Sequence, residues 1–209
     1  MTELGLPLES SAGAFKSYAM DEARFLSGQM LIAMPGIGDP RFERAVLLIC
    51  AHDETHAMAL AVNRPVEGLT VTDLLRKLDV TRAIQAPADL VLVGGPVESE
   101  RGFVLHTDDY QAAEGASFAV APGIALTAHR QALEALTDRE HGPRRAILAL
   151  GYAGWGAGQL ERELEENAWL TAPASREVLF ELPCELRRQR VARMLGIDLR
   201  MLAIRTGHA

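Results

Sequence analysis

The spacing of apolar residues changes several times along this chain, and each change marks an element. Residues 1–22 show no apolar periodicity and read as a flexible leader, which leaves 23–209 as one domain. From Phe25 onward the pattern is dense. Gln29 to Met34 reads as a strand closed by Met34-Pro35-Gly36. Ala45 to Ala51 and Ala57 to Val62 are two apolar runs around His52-Asp53-Glu54-Thr55-His56, a spacing that predicts a hairpin. Further strands are expected at Leu90 to Val93, Gly102 to His106, Ser117 to Val120, Gly123 to Thr127 and Arg145 to Tyr152.

Helical spacing is rarer. Thr70-Val71-Thr72-Asp73 has the form of a capping box, with Asp in place of Glu or Gln, ahead of Leu74, Leu75 and Leu78. Thr127 is the expected cap of a helix that buries Ala132, Leu133 and Leu136. Two more helices are expected over 158–168 and 185–195. Runs of strands joined by short turns, with few helices between them, predict an α+β domain. Its sheet should be mixed, mainly antiparallel and open to barrel-like closure, packed with a few helices. A doubly wound parallel fold needs a crossover of about a dozen residues between neighbouring strands, and the Ala45 to Val62 spacing leaves no room for one.

Composition narrows the functional classes. The net charge of −7 argues against a surface that grips nucleic acid as a whole. One local exception lies between Glu185 and Arg200, where five arginines face two carboxylates; it reads as the solvated face of a C-terminal helix. No apolar run reaches the roughly 18 residues of a membrane span, and the first residues lack the basic-then-apolar form of a secretory signal. A cytoplasmic setting is therefore expected. Cys50 ends an apolar run and reads as a core thiol, and two cysteines are too few for a disulfide framework.

Candidate chemistry is sparse. His52 and His56 stand in the order H-D-E-T-H, with the acid out of place for a zinc protease, and read as two solvent-exposed turn histidines that bind no metal. Gly94 and Gly95 follow a strand as a phosphate loop would, yet the segment lacks the lysine and spacing of one, so a tight bend is the simpler expectation. Asn63-Arg64-Pro65 ends a strand, either closing it or lining a pocket there, with Pro65 expected to block further pairing. Gly151 to Gly158 reads as a glycine-rich turn that carries Trp155 into a helix. On that helix Leu160, Leu164 and Ala168 form the apolar face, Gln159, Glu163 and Asn167 a polar stripe beside it, and Glu161 lies on the solvated side. His106, at a strand end, is the best lone acid–base candidate.

Taken in order, these segments resemble a known family. Met34-Pro35 to Phe42, Val62-Asn63-Arg64-Pro65, Gly94-Gly95-Pro96-Val97, Gly102-Phe103-Val104-Leu105-His106, Gly151-Tyr152-Ala153-Gly154-Trp155, Gln159-Leu160-Glu161 and Asn167-Ala168-Trp169-Leu170 are similar to the AlgH/YqgE family over about residues 25 to 182. The chain departs from the usual family pattern at Ala45, His56 and Ala59. The resemblance implies a bacterial cytosolic α+β protein and carries a transcriptional-regulator label. It supplies no accepted catalytic residue and no cofactor.

Two functions are then open. One is a non-catalytic, regulatory protein that binds a small molecule or a protein partner, with Asn63, Arg64, Gly94, Gly95, His106, Trp155, Gln159 and Glu163 as candidate ligand-binding residues. The other is an enzyme, such as a hydrolase, built on Asn63, Arg64, His106 and Glu163. Neither needs a cofactor, a metal, a membrane or DNA. A gel-shift titration against any promoter is expected to stay below the specificity ratio of about 10³ that marks a dedicated DNA reader. A higher ratio contradicts this expectation.

Overall fold

The computed structural model describes residues 25–80, 83, 89–112 and 116–199. The expected leader, and Arg200 of the basic stretch, lie outside these residues. Among the described residues the strands are β1 (Gln29–Ala33), β2 (Val46–His52), β3 (His56–Ala61), β4 (Pro65–Thr70), β5 (Leu90–Val93), β6 (Val97–Thr107), β7 (Ser117–Ala121), β8 (Ile124–Thr127), β9 (Ala146–Gly156) and β10 (Trp169–Pro173). The helices are α1 (Val71–Lys77), α2 (Arg130–Ala135), α3 (Gln159–Glu165), α4 (Arg176–Phe180) and α5 (Cys184–Met194).

All the strands join in one curled, half-barrel sheet. Its main path runs β10-β1-β2-β3-β9-β6-β8-β7 and is antiparallel at every joint. β9 is the branch point. Its C-terminal half pairs with β3 (Ala57↔Trp155), while its N-terminal half pairs with β6 and, in parallel, with β5 (Leu92↔Ala149). β4 then pairs with β5. The α+β class with a mixed, mainly antiparallel sheet is what the strand spacing predicts.

Period-two alternation explains the layers. On β1, Met30 and Ile32 enter one cluster, packed with Leu48, Leu60 and, from the helices, Val178, Leu179 and Val191. Leu31 and Ala33 point the other way, into a cluster with Leu47, Ile49, Trp155, Leu160 and Trp169. Both faces of β2 are covered, so it reads as a continuous apolar run rather than an alternating one. A third cluster seats α1 and α2, through Leu75 and Ala132, against Val91, Val104 and Leu148.

Several expectations need correction. The glycine-rich segment is not a turn: β9 continues through Gly156, and the turn is only Ala157 and Gly158. Pro65 does not end pairing but begins β4, opposite Leu92. Thr127 stays in β8, and His129 caps α2 by accepting from the Gln131 N–H. Thr70 does cap α1, accepting from the Asp73 N–H at 3.1 Å. The helix over 158–168 is shorter, because Asn167 takes a left-handed φ of 58° and turns the chain into β10. β4, β10 and α4 carry no periodicity of their own in so few residues and were not foreseen.

Trp155 anchors α3. It is 5% exposed, meets Trp169 edge-on at 6.0 Å, and donates its Nε1–H to Glu163 Oε2 at 2.8 Å. Trp155→Ala is expected to destabilise the protein by about 3–5 kcal/mol. At roughly 2–4 °C per kcal/mol for a chain of this size, the loss is plain in a thermal melt. A melting temperature within about one degree of wild type contradicts the anchor.

Candidate functional site

The acid–base candidates are bound up internally. Glu163 Oε2 accepts from both Trp155 and Trp169 at 2.8 Å, and Oε1 accepts from Gln159 Nε2 at 2.9 Å. Gln159 in turn accepts from the Gly156 N–H. This carboxylate is a structural acceptor that ties α3 to β9 and β10.

His106 is fully buried between β6 and β8. Its Nδ1 lies 2.8 Å from Thr107 O, which can only accept, so Nδ1 carries the proton. Nε2 then accepts from Thr127 Oγ1 at 2.9 Å, and Thr127 accepts from Ser117 Oγ at 2.6 Å. Burial lowers the imidazole pKa below its usual value, with the bond to Thr107 working against it. Nothing orients this ring as a base toward a substrate.

One of the two turn histidines differs from expectation. His52 is not exposed: at 3% exposure its Nδ1 accepts from the Leu26 N–H at 3.0 Å, and its Nε2–H donates to Glu161 Oε1 at 2.8 Å. Glu161 is therefore not free in solvent, and α3 grips the sheet through two of its carboxylates. His56 remains at the hairpin turn beside Asp53 and Thr55. Among the described residues no group of three His, Cys, Asp or Glu side chains could hold a metal.

Gly94 and Gly95 serve close approach. The Gly94 N–H donates to Leu150 O at 2.7 Å, and a Cβ on either glycine would collide with the β9 backbone at Gly151 or Tyr152. The Gly94 N–H, which a phosphate would need, is thus already taken by Leu150 O.

Asn63 and Arg64 lead to an open region. Asn63 Oδ1 accepts from the Val46 N–H at 2.7 Å, and Nδ2 donates to Arg44 O at 2.9 Å. The amide thus clasps the turn that enters β2. Arg44 sits there at φ 59°, a left-handed backbone that a non-glycine residue adopts only when held. On the opposite side Arg187 is 8% exposed and donates to Leu182 O and to Val62 O. Arg187 is not on a solvated face: it pins α5 to the end of β3, next to Asn63. With its neighbour turned inward, Arg188 borders a cavity of about 730 Å³. The cavity's other walls are Ala33 to Gly38, Pro40, Glu43, Arg44 and Leu199.

Neither this cavity nor a second one of about 600 Å³, beside α4 and the start of β9, is lined by Asn63, Arg64, His106 or Glu163. The second mixes Asp89, Glu181 and Glu185 with Arg144, Arg145 and Arg187, and two of those arginines already have partners. Of the four residues of the hydrolase reading, Asn63, His106 and Glu163 thus sit in separate hydrogen-bond networks. Arg188 belongs to the basic stretch that reads as a solvated helix face, whereas its Nε is buried beside the cavity. A partial signal existed for α5, since Cys184, Arg187, Val191 and Leu195 share one helical stripe. None existed for Arg44.

Comparison with known proteins places this architecture. A family model described as AlgH-like matches residues 30–200. The chain belongs to the AlgH-like family. A UPF0301 protein of Caulobacter vibrioides is 56% identical over 189 residues, covering 90% of this chain and 96% of that protein. A UPF0301 protein of Rhodospirillum rubrum is 46% identical over 185 residues, covering 88% of this chain and 95% of that protein. The solution structure of AlgH from Pseudomonas aeruginosa superposes with a TM-score of 0.71 at 36% identity, covering 92% of this chain and 100% of that one. A crystal structure from Corynebacterium diphtheriae, at 20% identity and a TM-score of 0.63 over 83% of this chain and 92% of that one, shares the fold.

In this AlgH-like chain the Asn63 clasp should be measurable. Asn63→Ala leaves the Val46 N–H and Arg44 O without their partner and is expected to cost about 1–3 kcal/mol in urea unfolding. Arg44→Gly is expected to be neutral or to stabilise by up to about 1 kcal/mol, because glycine suits the left-handed backbone. A costly Arg44→Gly paired with a neutral Asn63→Ala contradicts the clasp.

Proposed function

We propose that this AlgH-like chain is a non-catalytic binding protein whose receptor is the cavity between the 34–44 loop and α5. One observation carries this reading: the cavity of about 730 Å³ is walled by backbone, apolar side chains, the guanidinium groups of Arg44 and Arg188 and the single carboxylate of Glu43, with no Ser, Thr, Cys, His, Tyr or Lys on its lining. Its volume suits a small organic ligand, for which roughly 300–1,000 Å³ is usual.

The groups that could do chemistry support the same reading by being engaged elsewhere. His106 and Glu163 are consumed in internal hydrogen bonds. Cys50 is buried, and burial pushes its thiol up to about 12, far from a reactive thiolate. Of the candidate ligand-binding residues, Asn63 acts by shaping the wall through its bond to Arg44; Gly94, Gly95, His106, Trp155, Gln159 and Glu163 serve the scaffold, and Arg64 lies off the lining. A cytoplasmic setting belongs to this proposal and is supported by two unbridged cysteines. Among the described residues no helix is long and apolar enough to cross a membrane.

Amide NMR with a small-fragment library tests the reading. Fragments that bind should shift the amides of Ala33 to Gly38 and of Arg44, and p-nitrophenyl esters and phosphates should not turn over. Hits gathered around His106 or Glu163, or turnover that is lost in His106→Gln, would overturn it.

A further inference from the structure

The cavity between the 34–44 loop and α5 carries one guanidinium group, that of Arg188, without a hydrogen-bond or ion-pair partner among the described residues. Its Nε is buried without an acceptor. Arg44 lines it too, facing Glu43 Oε1 at 3.7 Å across an exposed pair that solvent weakens. Arg64 is not on the lining. Its charge reaches Asp39 in the same loop, and its Nη1 is also buried without an acceptor.

Native structures satisfy almost all buried polar atoms, so the orphaned Arg188 Nε beside this cavity needs an explanation. The nearby carboxylates do not supply it. Asp39 is held by Arg41, through Nε at 3.0 Å and Nη2 at 2.6 Å, and Glu43 lies in solvent at the rim. Burial pushes the Arg188 pKa down and the like charge of Arg44 adds to that, while the exposed Glu43 carboxylate offsets part of it; an anion placed against the guanidinium would work in the same direction as Glu43. The backbone tells the same story. Asn63 holds Arg44 at φ 59°, which fixes the direction of its side chain at a site of local strain. The same cavity is also lined by Ala33, Met34, Pro35, Ile37, Pro40 and Leu199, which give it apolar surface.

We propose that this cavity binds an anionic amphiphile, with a carboxylate or phosphate monoester head held by Arg188 and Arg44 and an apolar body laid on Met34, Pro35, Ile37 and Leu199. The proposal rests on the reading of the cavity as a receptor and adds the class of ligand. The planar guanidinium fork offers parallel N–H groups to two oxygens of either head group. The Arg64 charge, which also acts on Asp39, adds a longer-range attraction. The overall charge of −7 makes a local cationic pocket selective for small anions that can enter it rather than for a polyanion that must lie across the surface.

The test uses the full chain and three probes with one apolar body: octyl phosphate, octanoate and neutral octanol, each titrated while amide NMR is recorded. Both anions are expected to shift the amides of residues 33–44 and those around 188. Octanol is expected to bind at least about tenfold more weakly, as the loss of one charge-assisted contact implies. Arg188→Gln should weaken both anions by about tenfold or more and leave octanol unchanged. Arg44→Gly, which suits the local backbone, serves as the second variant should Arg188→Gln disturb the fold, and it should weaken the anions likewise. Octanol binding as tightly as the anions at residues 33–44 overturns the anion class while leaving the receptor intact. Anion binding that is unaffected by both variants also overturns it. If no probe shifts residues 33–44 up to millimolar concentration, the ligand class and the receptor fall together.

Discussion

Two backbones touch at the centre of this protein, and the rest of the chain is arranged around that contact. The Gly94-Gly95 bend between β5 and β6 lies so close to Gly151 and Tyr152 of β9 that neither glycine could carry a side chain. The contact is fastened by hydrogen bonds: Gly94 N–H to Leu150 O at 2.7 Å and Ala61 N–H to Gly94 O at 2.8 Å. β9 can therefore pair with β3 along one half and with β5 and β6 along the other. A single long strand serves two parts of a curled sheet because the crossing strand leaves no side chain in the way.

The receptor region follows from that junction. Val93 N–H donates to Arg64 O at 2.7 Å, so the end of β5 fixes the bend just after β3. Asn63 is thereby placed to clasp Arg44 and Val46, and the carbonyl of Val62 is placed to accept from Arg187. Those two contacts set the 34–44 loop and α5 on either side of one cavity. The glycine bend, the asparagine and the buried arginine act at successive removes from it, and the residues that face the cavity, Arg44 and Arg188, are the neighbours of residues with structural duties.

This explains how far the sequence could be read. The strands of the antiparallel path are long apolar runs, and β1, β2, β3, β8 and the core of β6 are visible as such. The α1 cap at Thr70 is equally visible, because capping depends on residues three apart. The glycine-rich segment misled, since glycine marks both turns and close strand crossings, and only the partner backbone at Gly94-Gly95 distinguishes them. His52, Glu161 and Arg187 looked solvated because their partners lie far along the chain: Leu26 and Glu161 for His52, and Val62 for Arg187. The family could be recognised from ordered motifs, but those motifs report the scaffold. Trp155, Gln159 and Glu163 cluster because they lock α3, and the cavity is formed instead by a loop and a helix face with no motif of their own.

The junction is the central claim, and native-state hydrogen exchange tests it most directly. The amides of Ala61 and Gly94 should exchange only through global unfolding, with the same free energy and denaturant dependence as the unfolding of the whole chain. Exchange of either amide through a local opening, at a free energy well below that of the β6–β8 amides, would contradict the claim.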